Sequence, residues 1–261
     1  MLCVRPRGAG VKTPLGTCTM TTSVVFYTNN NYDINSEMRN EFDVTSMDHK
    51  EAREALLKLE LRKTQLELAS KARDSFLTFV STVWPGFVEG EHHRRIGEKF
   101  EKVLSGEIKR LIVNMPPRHT KSEFASFLFP AWLMGHKPQT KIIQTTHTAE
   151  LSYRFGRKVR NMMDGDEYKS VFPEVKLSQD SKAAGRWETN YGGEYFGAGV
   201  GGAITGRGAD LLIIDDPHSE QDALSQTAMD NAWEWYTSGP RQRLQPGGSI
   251  VCVMTRWSEK D

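Results

Sequence analysis

The stretch RLIVNMPPRHTKSEFAS, residues 110–126, decides how this chain is read. Residues 110–115 form a short apolar run of the kind that makes a buried strand. Two prolines and a polar loop follow, and Lys121-Ser122 opens a segment expected to be helical over about 121–134. A strand, a tight loop and a helix start present unpaired N–H groups and a partial positive charge beyond the helix end. A phosphate chain placed there is held by backbone, by a lysine and, through magnesium, by a hydroxyl. The usual spacing for such a loop is G-x-x-x-x-G-K-[ST]. The matching window here runs from Met115 to Ser122. Lys121 and Ser122 fit it, whereas Met115 and Thr120 stand at the two glycine positions. On its own, the stretch is equally a plain strand-to-helix connection carrying a surface lysine.

Two further stretches bear on that choice. DLLIIDD, residues 210–216, is an apolar strand ending in two carboxylates. Beside a phosphate loop, one such acid holds the magnesium shell and a second orients or deprotonates the attacking water. Asp215 takes the first role and Asp216 is the candidate base. VCVMTRW, residues 251–257, is another apolar strand, ending in polar Thr255-Arg256, where a strand tip can sense the terminal phosphate. The acids follow the loop by roughly 90 residues, with the strand KIIQTT between them. That order suits a phosphate-loop ATPase with strands inserted between its two nucleotide motifs.

The pattern around these motifs gives the fold class. Strand-like runs are expected at 110–115, 141–146, 193–199, 210–215 and 249–254, with helices at about 91–105, 121–134, 149–163 and 223–236. Buried strands alternating with helices predict an α/β fold, a mostly parallel sheet flanked by helices. RWETNYGGEYF carries two short runs around Asn190–Gly193, which predicts a hairpin. Residues 1–46 are rich in Thr, Asn, Ser and Gly and are expected to be disordered, with Met20 as an alternative start. Residues 47–105 are expected to form an N-terminal helical arm and lead-in, and 106–261 the ATPase core. Within the arm, Leu57, Leu61 and Leu68 make a narrow apolar stripe.

Composition narrows the class without choosing it. A net charge of +1 gives no global basic field, so contact with DNA would have to come from local patches. The three cysteines are far apart and form no Cys-x-x-Cys, which argues against a disulfide framework or a zinc ribbon. No apolar run reaches the length of about 18 residues that a membrane span needs.

Taken together and in order, MPPRHTKSE, GVGGAITGRGADLLIIDDP and VMTRW resemble the N-terminal ATPase domain of the large terminase subunit of tailed bacteriophages, from about Phe76 to the last residue. The resemblance implies a helicase-like phosphate-loop (ASCE) NTPase that hydrolyses ATP with Mg2+ and drives double-stranded DNA into the procapsid. It implies that Pro117, Arg118, His119, Thr120, Lys121 and Ser122 bind nucleotide, Arg118 being an arginine this family often places inside the loop. It further implies that Ser122 and Asp215 hold magnesium and that Thr255 and Arg256 couple hydrolysis to movement. The partners it implies are the portal protein and the small terminase subunit, in a ring oligomer on the portal, in the host cytoplasm and without a membrane. Two departures stand out. Many such motors place Glu where this chain has Asp216, so Glu220 is an alternative catalytic acid. The chain also stops at Asp261, before the nuclease domain of large terminases, so nuclease activity is not expected in it. The other readings are a helicase or another DNA translocase, and a truncated fragment that only binds nucleotide or partners.

Weaker features carry weaker expectations. GAGVGGAITGRGAD (197–210) holds six glycines but precedes a strand instead of opening a helix, which argues against a dinucleotide fingerprint. It is read as a loop over the ATP or DNA side, with Arg207 as a phosphate contact, an arginine finger or a plain turn residue. Arg154, Arg157 and Lys158 fall near one helical face, where they contact DNA phosphate or simply face solvent. His92-His93 lacks metal-ligand spacing and is read as surface or packing histidine.

Overall fold

The apolar runs at 110–114, 141–146, 209–215 and 244–254, together with 194–199, become neighbouring strands of one sheet. The computed structural model describes residues 48–204 and 206–258; the expected disorder of 1–46 and the alternative start at Met20 lie outside the described residues. β1 (Arg110–Asn114), β2 (Lys141–Thr146), β5 (Glu194–Gly199), β6 (Ala209–Asp215) and β7 (Leu244–Met254) run parallel. β3 (Leu177–Ala183) and β4 (Arg186–Thr189) add an antiparallel edge, and the sheet order is β1-β7-β6-β2-β5-β4-β3. The expected hairpin is therefore β4–β5, and its turn uses Gly192 at φ +78°. β3 was not expected. The fold class is the expected α/β one, a mostly parallel sheet flanked by helices.

Two compact units divide the chain, Met1–Ala55 and Leu56–Asp261. The second begins well inside the expected arm, and the packing explains why. In α2 (Phe76–Val83), Phe76 is fully buried. Its ring meets Phe100 of α3 (Glu91–Ser105) at 5.3 Å, Phe124 at 5.5 Å and Trp132 at 5.4 Å. The lead-in thus shares one core with the helix that follows the loop at 115–120. In α1 (His49–Asp74), Leu57, Leu61 and Leu68 stay exposed, whereas Ala69 and Ala72 are buried; small residues, not the leucine stripe, face the protein. α3 ends at Gly106, which takes the left-handed C-cap (φ +85°).

The helix opening at Lys121 is irregular. It contains a π segment, Glu123–Leu128, and continues as α4 (Phe129–His136). The N–H of Phe129 reaches back to the carbonyl of Phe124, a five-residue step. Pro130 follows at once. A regular α-helix would press its ring on the carbonyl of Ser126, and the widened turn relieves that contact. α5 (Ala149–Met163), α6 (Asp166–Val171) and α7 (Gln226–Ser238) complete the flanking layers. None of the described helices is long and apolar enough to cross a membrane.

Candidate active site

Parallel strands bring their carboxyl ends to one edge. β7 lies between β1 and β6, so its tip at Thr255 stands between the loop after β1 and the acids after β6. This placement gathers Lys121, Ser122, Asp215, Asp216 and Thr255 into one group.

The loop adopts the glycine conformation without glycine. Arg118 and Thr120 have φ of 65° and 61°. A left-handed backbone costs a side-chain-bearing residue roughly 1–2 kcal/mol, and a β-branched one tolerates it least. Thr120 occupies the second glycine position of the pattern. Its hydroxyl donates to the carbonyl of His119 at 2.6 Å and lies 2.7 Å from His93 Nε2, and its carbonyl accepts the N–H of Phe124 at 2.9 Å. The backbone N–H groups of Arg118, His119, Thr120, Lys121 and Ser122 have no acceptor among the described residues. They form a set of donors suited to an anion. Pro117, Arg118 and His119 are exposed, and the carbonyl of Pro117 lies 3.0 Å from His119 Nδ1.

Lys121 is buried, and its Nζ sits 2.8 Å from Asp216 Oδ2. The other Asp216 oxygen, Oδ1, accepts the N–H of Thr255 at 2.7 Å. Asp216 itself has φ 44°, and its N–H donates to the carbonyl of Val253. One carboxylate therefore bridges the loop lysine and the tip of β7. The hydroxyl of Thr255 is buried and has no partner among the described residues. Arg256 is exposed, with its guanidinium 3.4 Å from the carbonyl of Ser258.

Asp215 is held from the other side. Ser122 Oγ donates to Oδ1 at 2.8 Å and Ser126 Oγ to Oδ2 at 2.6 Å. Ser126 in turn accepts from Gln144 Nε2 at 2.9 Å, and Gln144 is fully buried on β2. Burial raises the Asp215 carboxyl to about 6, opposed by the bonds from Ser126 and Ser122, with the Asp216 charge adding to the rise and Lys121 opposing it. Among the described residues no three or more His, Cys, Asp or Glu side chains group as a metal cage. Magnesium bound through one or two protein ligands plus phosphate oxygens needs no such cage, and Ser122 and Asp215 are a hydroxyl and a carboxylate that could hold one.

Other expected residues fall elsewhere. Glu220 is exposed in the loop after β6 and makes no contact with the group, whereas Asp222, two residues on, lies 3.4 Å from His147 at the end of β2. Arg154, Arg157 and Lys158 do share a face of α5, lining an open depression of about 490 Å3 with Thr148, Glu150, Leu151 and Asn161. Lys158, however, is tied to Glu123 at 2.6 Å and so braces α5 against the helix behind the loop. Arg207 also falls away from the group. It pairs with Glu194 and lies 4.2 Å over the Phe196 ring, at the start of β5 and β6. The seven residues of β6 span about 23 Å, so this is the far end of the sheet from the loop. The sequence reading missed His93 as a partner of the loop. The local signal was only half of a capping box: His93 Nδ1 accepts the N–H of Gly90, which has no side chain to return the bond.

No protein-family model matches the chain, and no curated protein matches it. Among solved structures, the chain is similar to the large terminase of a thermophilic bacteriophage, solved in complex with ADP. The identity is 13%, the match covers 60% of this chain and 38% of that one, and the TM-score is 0.37. The chain thus spans well under half the length of that terminase.

Proposed function

We propose that this chain is a magnesium-dependent ATPase of the terminase type, coupling hydrolysis to movement of double-stranded DNA. The observation that supports it most is Asp216, which touches Lys121 of the loop and the N–H of Thr255 at once. A surface lysine on an ordinary connection has no reason to be buried against a strand-end acid. The three sequence blocks, in order, supply the terminase part of the reading, with DNA, portal protein and small subunit as partners.

The chain's own residues divide the work. The unpaired N–H groups of residues 118–122 bind phosphate oxygens, and Lys121 leaves Asp216 to join them. Asp216, released from the lysine, accepts a proton from the attacking water. Exposed Arg118 turns toward the charge on the transferred phosphoryl group. The unpartnered hydroxyl of Thr255 detects the terminal phosphate, and Arg256 carries its loss outward. Ser122 and Asp215 would hold magnesium, which would supply neutralisation of phosphate charge.

The test is magnesium-dependent ATP hydrolysis by the full chain, with and without double-stranded DNA, against Lys121→Ala. Hydrolysis stimulated by DNA and abolished in the variant is expected. Absence of both nucleotide binding and hydrolysis in the unmodified chain would overturn the reading.

A further inference from the structure

His93 lies 27 residues before Thr120, on a helix that carries none of the nucleotide motifs. Its ring is buried, stacked on Phe124 at 4.8 Å and edge-on to Phe87 at 4.9 Å. Nδ1 accepts the N–H of Gly90 at 2.9 Å. That bond fixes the tautomer: Nδ1 carries no proton, so Nε2 carries one and donates it to Thr120 Oγ1 at 2.7 Å. The Thr120 hydroxyl, satisfied as an acceptor, donates its own hydrogen to the carbonyl of His119. The rotor is thereby locked and the left-handed turn closed from both sides.

We infer that His93 is a positioning residue that replaces the missing glycine, holding Thr120 in the phosphate-binding conformation through its Nε2–H. The physical argument is one of compensation. Glycine enters φ near 60° at no steric cost; threonine does not. A strained residue persists only where its surroundings over-determine it. Thr120 has two side-chain hydrogen bonds and the helix bond of its carbonyl; the His93 bond is the one that comes from outside the loop. Phe87 and Phe124 keep the imidazole in place, so the first helical layer presets the loop before any nucleotide arrives.

The inference rests on the proposed nucleotide reading for its consequence but not for its test. The experiment is a cycle of His93→Ala, Thr120→Gly and the double variant in the full chain. Thr120→Val is a second route that removes the acceptor without touching the core. Backbone hydrogen exchange over residues 115–122 and ADP affinity are both measured. With Thr120 present, loss of His93 should speed exchange in the loop and weaken ADP binding about three- to tenfold, the effect of one hydrogen bond. Thr120→Val should do the same. In the Thr120→Gly background the contact is already gone, and loss of His93 should change neither readout by more than about twofold. Equal effects of His93→Ala in both backgrounds, or an unchanged loop in Thr120→Val, would overturn it. If the unmodified chain binds no ADP, the ATPase proposal fails, while exchange still decides the role of His93.

Discussion

Lys121 Nζ and Asp216 Oδ2 stand 2.8 Å apart at the mouth of the loop, with the lysine buried and the acid about one-third exposed. Under the proposed function, the pair is a closed contact between two groups that nucleotide would separate. A buried ammonium needs an anion. Asp216 fills that need, and under the proposed function a phosphate would take it over. Because the same carboxylate also accepts the N–H of Thr255, the exchange is felt at the tip of β7.

Asp216→Asn should therefore separate binding from chemistry. Asparagine keeps an oxygen for Lys121, but it turns toward Thr255 an NH2 that cannot accept that N–H, and it cannot take a proton. The expected outcome is a fall in kcat on the order of 100-fold or more, the usual contribution of a general base. Nucleotide affinity should stay the same or rise slightly, because Lys121 is less firmly held. Steady-state hydrolysis together with calorimetric ADP titration checks this. Weakened ADP binding with kcat intact would instead make Asp216 a binding residue.

Asp215 carries a cost that depends on pH. Its carboxyl titrates at about 6 in the folded protein and near 3.8 in the unfolded chain, chiefly because it is buried. Between those values the folded state binds more protons, so this group's contribution to stability falls as pH rises and levels off above about 6. The shift corresponds to roughly 3 kcal/mol. Asp215→Asn does not titrate. Without nucleotide, its stability relative to the unmodified protein should climb from pH 4 to pH 6.5 and then hold. Urea unfolding at a series of pH values measures it, and parallel curves for the two proteins would contradict the assignment.

What the sequence made legible follows from how each feature is encoded. β1, β6 and β7 are apolar runs with polar tips, and a parallel sheet brings such tips together by construction. Their ends therefore predicted the cluster of Lys121, Asp215, Asp216 and Thr255. β3 was illegible because LSQDSKA has no apolar period to mark it. The positive φ of Thr120 was illegible for a related reason: the usual signal is glycine, and here a histidine far away in sequence stands in for it. Lys158 fitted a cationic face by spacing alone, and only the fold puts Glu123 beside it.

Arg154 and Arg157 remain on that face, without the ion pair that occupies Lys158, beside Thr148 and Asn161. On the proposed reading, each would meet a backbone phosphate. Replacing both by Ala should weaken binding to double-stranded DNA of any sequence. The slope of log K against log salt should become shallower by about one to two units, from the loss of one or two phosphate contacts. Titrations of a labelled duplex at several salt concentrations give that slope. An unchanged slope would make the depression a solvated surface.

Arg207 separates the proposed site from its surroundings. It sits in a glycine-rich stretch only eight residues from Asp215, yet at the opposite end of β6. Its guanidinium bridges Glu194 and covers Phe196, and Arg186 also approaches Glu194 at 3.4 Å. Arg207→Ala should thus act on stability and leave chemistry alone. Loss of the ring contact and the paired hydrogen bond should cost roughly 1–2 kcal/mol, discounted for partial exposure. In a chain of this size that lowers the melting temperature by about 2–6 °C. Hydrolysis per folded molecule should remain within about twofold of the unmodified chain, since no step of phosphoryl transfer reaches this edge. A large loss of kcat with an unchanged melting temperature would return Arg207 to the role of an arginine finger, acting on a neighbouring copy of the chain.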